Sequence, residues 1–162
     1  MKKLLGAAVA AAVSFGAFAK DVYISPDGDQ ATADGSIERP YQDVYATLHQ
    51  NAKIATGDTV WFMDGTHVAT QHVYVTASVT FKAVNPGKAI LTMDSSRNKR
   101  GFFYSNNDGS IYDGLVFRDI TVDLKDGGGA IFSGYDKILN CRFEDGRILS
   151  SNWESSSMIA GN

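Results

Sequence analysis

The chain of 162 residues contains one cysteine, Cys141, with only three prolines and three histidines. A single cysteine excludes an intramolecular disulfide and any zinc site built on cysteine pairs. His49, His67 and His72 form no HExxH pattern, which excludes a catalytic zinc site of that kind. Positive charge is in deficit, with 15 basic against 18 acidic residues and a net charge of −3. Such a chain offers nucleic acid no general electrostatic footprint. It still permits an acidic sugar polymer, because a local basic patch or a bound cation overrides net charge. Long apolar runs are confined to the N-terminus, and the run there is too short and alanine-rich for a stable membrane span.

That N-terminal run has a purpose of its own. MKKLLGAAVAAAVSFGAFA carries Lys2 and Lys3, a short apolar stretch and Ala17-Phe18-Ala19 before Lys20. This is the n-region, h-region and A-x-A site of a secretory signal peptide, so residues 1–19 are set apart from the fold and a secreted or periplasmic location is expected. The remaining 143 residues suit one domain and hold 13 basic against 18 acidic side chains, a charge of about −5.

Residues 20–56 read as an N-terminal capping segment. Val22 to Ser25 suggests a short strand, and the Asp/Gly/Pro-rich loop after it cannot continue one. Asp27 and Asp29 are followed by Ala31 and Thr32, which does not match an EF-hand loop, so a solvated turn is expected. Pro40 then precedes Tyr41, Val44, Tyr45, Leu48 and Ala52 at helical spacing, which predicts an amphipathic helix from Tyr41 to about Lys53.

After Gly57 the pattern changes. Short runs rich in Val, Ile, Phe and Thr alternate with Gly, Asn, Asp and Ser, as in TVWFM, HVYVT, VTFKA, AILTM and LVFRDITVDL. Such spacing indicates an all-β solenoid, sandwich or barrel. Setting GLVFRDITVD over YDKILNCRFE, 21 residues on, places Phe117 on Ile138, Ile120 on Cys141, Asp119 on Asn140 and Asp123 on Glu144. A third copy starts at Ser156, with Ile159 matching Ile138. A repeat of this length fits one turn of a parallel β-helix, whose rungs stack about 4.8 Å apart. The expected fold is therefore an all-β, short right-handed parallel β-helix over residues 57–162 with an N-terminal capping α-helix.

The entry segment carries a resemblance. Val22/Ile24-Ser25, Gly28, Asp34-Gly35-Ser36, Pro40-Tyr41, Gly57-Asp58-Thr59-Val60 and Asp64-Gly65-Thr66 span about 45 residues. Together they resemble the entry of secreted right-handed β-helix proteins of the polysaccharide lyase type, including chondroitinase B, alginate lyase and pectate lyase. His67 departs from the pattern, which usually has tyrosine there. The resemblance implies β-elimination on a uronic-acid polymer, with a lysine or arginine as base and calcium or a cationic group on the adjacent carboxylate. In the relatives those residues lie in later rungs, so none is carried onto this chain and the catalytic residues are unassigned. The expected function is an exported polysaccharide-lyase-like protein, incomplete and inactive alone because the chain stops within a rung. The alternative is a non-catalytic β-helix module that binds glycan or a surface partner.

Several residues remain as candidates. In GDTVWFMDGTH, Gly57, Asp58, Asp64 and Gly65 read as a structural motif around one buried strand rather than as a site. The 21-residue register sets Asp123 beside Glu144, a hypothetical calcium pair with Asp126 or Asp145 as further donors; hydrated surface carboxylates are the competing reading. Arg142 and Arg147 are candidates for holding a substrate carboxylate, or are surface charge. Arg118 and the run Arg97-Asn98-Lys99-Arg100 are further cations, and Tyr104, Tyr112, Tyr135 and Trp153 could stack on sugars or pack in the core. Cys141 reads as a small buried hydrophobe against a reactive thiol. An uncovered last rung exposes apolar edges such as Phe143, Ile148 and Ile159, which allows self-association through the open end.

Mass spectrometry of the exported protein tests the N-terminal reading. The expected mature chain begins at Lys20, and a soluble cytoplasmic product retaining Met1 contradicts it.

Overall fold

A computed structural model describes residues 18–94, 102–105, 109–123 and 136–149. Among them are thirteen short strands and one short α-helix. The strands are β1 (Asp21–Ile24), β2 (Thr59–Phe62), β3 (Gly65–Ala69), β4 (Val73–Val75), β5 (Thr80–Ala83), β6 (Ala89–Met93) and β7 (Phe103–Ser105). They continue as β8 (Ile111–Asp113), β9 (Val116–Arg118), β10 (Thr121–Asp123), β11 (Lys137–Leu139), β12 (Arg142–Glu144) and β13 (Arg147–Leu149). Helix α1 covers Val44–Leu48. Every pair of strands is parallel.

The chain passes through these sheets in rotation. One five-stranded sheet has the order β1-β2-β5-β8-β11, and a four-stranded sheet has the order β12-β9-β6-β3. Two further pairs, β4-β7 and β10-β13, complete the set. From β2 onward each strand pairs with a strand three places away along the chain, not with its neighbour in sequence; only β1 and β2 are consecutive strands that pair. The described residues are all-β apart from one short helix, with parallel sheets and no closed barrel among them. No described helix is long and apolar enough to cross a membrane.

Alternating side chains place the core between the sheets. In β2, Val60 and Phe62 are fully buried while Thr59 and Trp61 are half-buried on the other face. Register extends this into columns: Val22, Val60, Phe81, Tyr112 and Ile138 line one sheet, and His67, Leu91, Phe117 and Phe143 the other. Aromatic rings continue from turn to turn, with Phe81 stacked on Tyr112 at 5.1 Å and Phe117 on Phe143 at 5.3 Å.

The register differs from the expected repeat. Thr59 does face Thr80, 21 positions on. Gly65, however, faces Ala89, 24 positions on, and Thr80 faces Ile111, 31 positions on. In the last circuit Phe117 lies opposite Phe143, Tyr112 opposite Ile138 and Asp123 opposite Leu149, all 26 positions apart. The 21-residue alignment had slipped by one strand, laying β9 over β11 instead of over β12. The three strands of one circuit share the same apolar-polar alternation, so pattern alone does not separate them. The third copy, from Ser156, lies outside the described residues.

The capping helix is shorter than its periodicity suggested. The Tyr41 N–H donates to the Tyr23 carbonyl at 3.0 Å, and the Tyr41 carbonyl accepts the Ser25 N–H at 2.8 Å. A backbone engaged on the strand side cannot also open a helix. The turn begins instead after Asp43, whose carboxylate accepts the Ala46 N–H at 2.9 Å as an N-cap. It tightens to a 3-10 turn over His49–Asn51. Gln50 and Asn51 then take left-handed φ values of 53° and 58°, which ends the helix. Asn51 fastens this end by accepting the Thr76 and Ala77 N–H groups at 3.0 and 3.1 Å. Val44, Thr47 and Leu48 are buried, and Tyr41 packs partly buried against the same core.

Removing a ring from the stack tests the columns. Phe81→Ala is expected to cost about 3–5 kcal/mol, read from urea midpoints. Val68→Thr, at a position 52% exposed, should stay within about 0.5 kcal/mol of the parent.

Candidate functional site

Gly57, Asp58, Asp64 and Gly65 sit at the two ends of β2. Asp58 is 2% exposed. Its two oxygens accept the Lys20 N–H at 3.0 Å and the Ala55 N–H at 2.8 Å. Its own carbonyl receives Thr80 N–H at 3.0 Å from the next circuit. Both carboxylate oxygens are thus engaged by backbone donors, tying the segment before β1 and the loop before β2 to the start of β2. Asp64 is exposed at the other end and receives the Asn85 side-chain amide at 3.1 and 3.2 Å. Gly65 turns the chain with φ +118°, where a Cβ would also lie 3.0 Å from the Pro26 ring. The motif is structural.

His67 lies just beyond it with its ring turned inward and 2% exposed. Burial lowers its pKa from the ordinary value, opposed by a hydrogen bond to the Met63 carbonyl. Tyr112 is fully buried, which removes it as a sugar-stacking surface, and burial raises its hydroxyl well above the usual value. Burial likewise raises the Cys141 thiol. Its Sγ lies 3.5 Å from the Tyr112 carbonyl and the side chain packs against the core, so the hydrophobic reading holds over the reactive one.

Glu144 is not in register with Asp123. It lies on β12 opposite Arg118 of β9, whereas Asp123 lies on β10 opposite Leu149. The strand slip that produced the 21-residue repeat also produced the expected calcium pair. Glu144 instead joins two arginines: Arg118 Nε and Nη2 approach one oxygen at 2.8 and 2.7 Å, and Arg142 Nη2 lies 3.4 Å from the other. Arg142 points outward as expected and is 61% exposed. Arg147 lies opposite Thr121, and nothing about its side chain or that of Asp123 is described. Among the described residues no group of three or more His, Cys, Asp or Glu side chains converges as for a metal ion. Arg97 to Arg100, Asp126, Tyr135 and Trp153 lie outside the described residues, as does the side chain of Tyr104.

The most varied chemistry is on the outer face of the five-stranded sheet, where register aligns Tyr23, Trp61, Lys82, Asp113 and Leu139. Tyr23 and Trp61 are nearly parallel, 6.3 Å apart, and the Lys82 ammonium lies 5.3 Å from the Trp61 ring. Lys82 also lies 3.4 Å from an Asp113 oxygen, and Asn140 donates to Asp113 at 2.9 Å. The Trp61 indole N–H donates to Asp21 at 2.9 Å. The strip thus combines apolar ring surface, an ammonium and carboxylates on one side of a sheet. Sequence reasoning missed it because its members are 21 to 38 positions apart. Their shared outward parity was visible; their register was not.

No known protein family, curated protein or solved structure matches this chain.

The two aspartates are expected to behave differently. Asp58→Ala leaves two backbone donors without their acceptor and should cost about 2–3 kcal/mol. Asp64→Ala loses an exposed contact and should cost under about 1 kcal/mol. Chemical denaturation of the two variants reads both, and equal costs would contradict the assignment.

Proposed function

We propose that this chain is an exported, capped right-handed parallel β-helix that engages an acidic polysaccharide on its outer faces. The observation that carries the reading is the rotation of the chain through stacked parallel sheets beneath a closed end. Connections between parallel strands of one sheet are right-handed in nearly all proteins, which supports that hand. The entry segment from Val22 to Thr66 supports the polysaccharide-lyase type. A uronic-acid polymer is the ligand class, because its ring faces suit Trp61 and Tyr23 while its carboxylates suit cations such as Lys82 and the exposed Arg142.

Lyase chemistry asks for a base beside the acidic carbon and a cation on its carboxylate. Three of the cations on these faces are already engaged, Lys82 with Asp113, and Arg118 and Arg142 with Glu144. This favours glycan binding by these turns, with elimination assigned to later turns of the lyase-like proteins it resembles. It also supports a second reading, a non-catalytic glycan-binding module.

Polygalacturonate, alginate and chondroitin distinguish the outcomes. The 162-residue chain is expected to be retarded by at least one polymer in affinity electrophoresis without forming the ultraviolet-absorbing unsaturated uronate. Trp61→Ala should weaken that retention roughly three- to tenfold. Failure to bind any of the three polymers contradicts the proposal.

A further inference from the structure

His67 occupies the inward column of the four-stranded sheet, opposite Leu91. Its Nε2 lies 2.8 Å from the Met63 carbonyl, which can only accept, so Nε2 carries the proton and Nδ1 the lone pair. Nδ1 is buried with no hydrogen-bond partner. The ring meets Phe62 edge to face at 5.1 Å. A second proton can enter only at Nδ1, where the imidazolium would have a buried N–H without an acceptor and a charge without a counter-charge.

The surroundings offer that charge little relief. On the β2 side stand the Phe62 ring and the Met63 carbonyl, and the next carboxylate, Asp64, is exposed and held by Asn85. On the β6 side the register partner is apolar Leu91. The third neighbour is α1, which packs on both β3 and β4 and buries Val44, Thr47 and Leu48. Asp43, at its N-cap, is engaged with the Ala46 N–H. His49, at its other end, stacks on Tyr45 and accepts the Tyr74 N–H at 3.3 Å, with the His72 ring 6.5 Å away. β3 pairs on one side only, with β6, being the edge strand of its sheet, and α1 is the element of the cap that packs on β3.

We propose that His67 is an acid-sensitive latch, whose protonation at Nδ1 releases α1 from β3 and opens the N-terminal end of the stacked sheets. The sign follows from burial, which lowers the folded-state pKa below the ordinary value of 6.5. The closed form keeps its full stability above about pH 6.5. It loses stability as pH falls from there towards the lower folded value. One proton is taken up, so the opening constant rises by at most about tenfold per pH unit across that interval.

Hydrogen exchange on the full chain at about pH 7.5 and 5, corrected for intrinsic rates, tests the latch. The opening constants of α1 and β3 are expected to rise at the lower pH while β8 and β9 remain protected. His67→Gln, which keeps an N–H donor for Met63 but does not titrate, should abolish the rise, and His49→Gln should preserve it. An unchanged pH response in His67→Gln overturns the proposal. So does opening of β3 without α1, or equal loss of protection in all the sheets. Should His67→Gln fail to fold, the wild-type chain decides by NMR. The His67 titration midpoint must then coincide with the loss of α1 protection, and separate midpoints overturn the latch.

Discussion

Closure of the β1 edge is the constraint on which the rest of the structure depends. Parallel strands leave one row of backbone donors and acceptors open at the first strand, and such an edge invites pairing with another chain. Here the segment from Gly35 to Tyr41 returns to close it. The Tyr23 N–H donates to the Gly35 carbonyl at 2.8 Å, and Tyr41 exchanges bonds with Tyr23 and Ser25. With β1 fixed, β2 has a template, β5 pairs on β2, and the circuits follow. The position of Tyr41 also explains the brevity of α1, since the same residue serves the edge and precedes the cap.

A second constraint comes from burial between the sheets. Each circuit contributes inward side chains to columns that run from turn to turn, so a ring such as Phe81 packs on Phe62 below and Tyr112 above. Interiors built this way tolerate few polar atoms, and those present are satisfied locally. Asp58 meets that requirement with two backbone donors. His67 meets it at Nε2 and not at Nδ1. This difference separates a buried carboxylate that fastens the fold from a buried imidazole that can loosen it.

Much of the fold was legible because it rests on local chemistry. The alternation in TVWFM and AILTM predicted half-buried strands, and the Asp and Gly residues marked their ends. The burial of Val44 and Leu48 followed from their spacing. The repeat was misread for a physical reason. Asp119 and Asn140, aligned at 21 residues, both occupy left-handed turn positions with φ 53°, but they stand at different corners of the circuit. Corner residues look alike because each corner makes the same demand, a tight turn that Asp, Asn or Gly accepts. The expected register of Asp123 beside Glu144 went with the alignment, and the strip from Tyr23 to Asp113 stayed hidden for the same reason.

The sequence by itself determined the strands, the side of each that is buried and the turn residues, because each depends on side chains near one another along the chain. Only the tertiary structure decided which strand lies on which. A parallel strand's partner is a whole circuit away, and the circuit length varies from 21 to 31 residues with the loops between strands. That variation placed Glu144 beside Arg118 rather than Asp123, and Trp61 between Tyr23 and Lys82. It also left His67 in a column of apolar side chains, where a residue suited to the surface acquires a buried, unpartnered nitrogen.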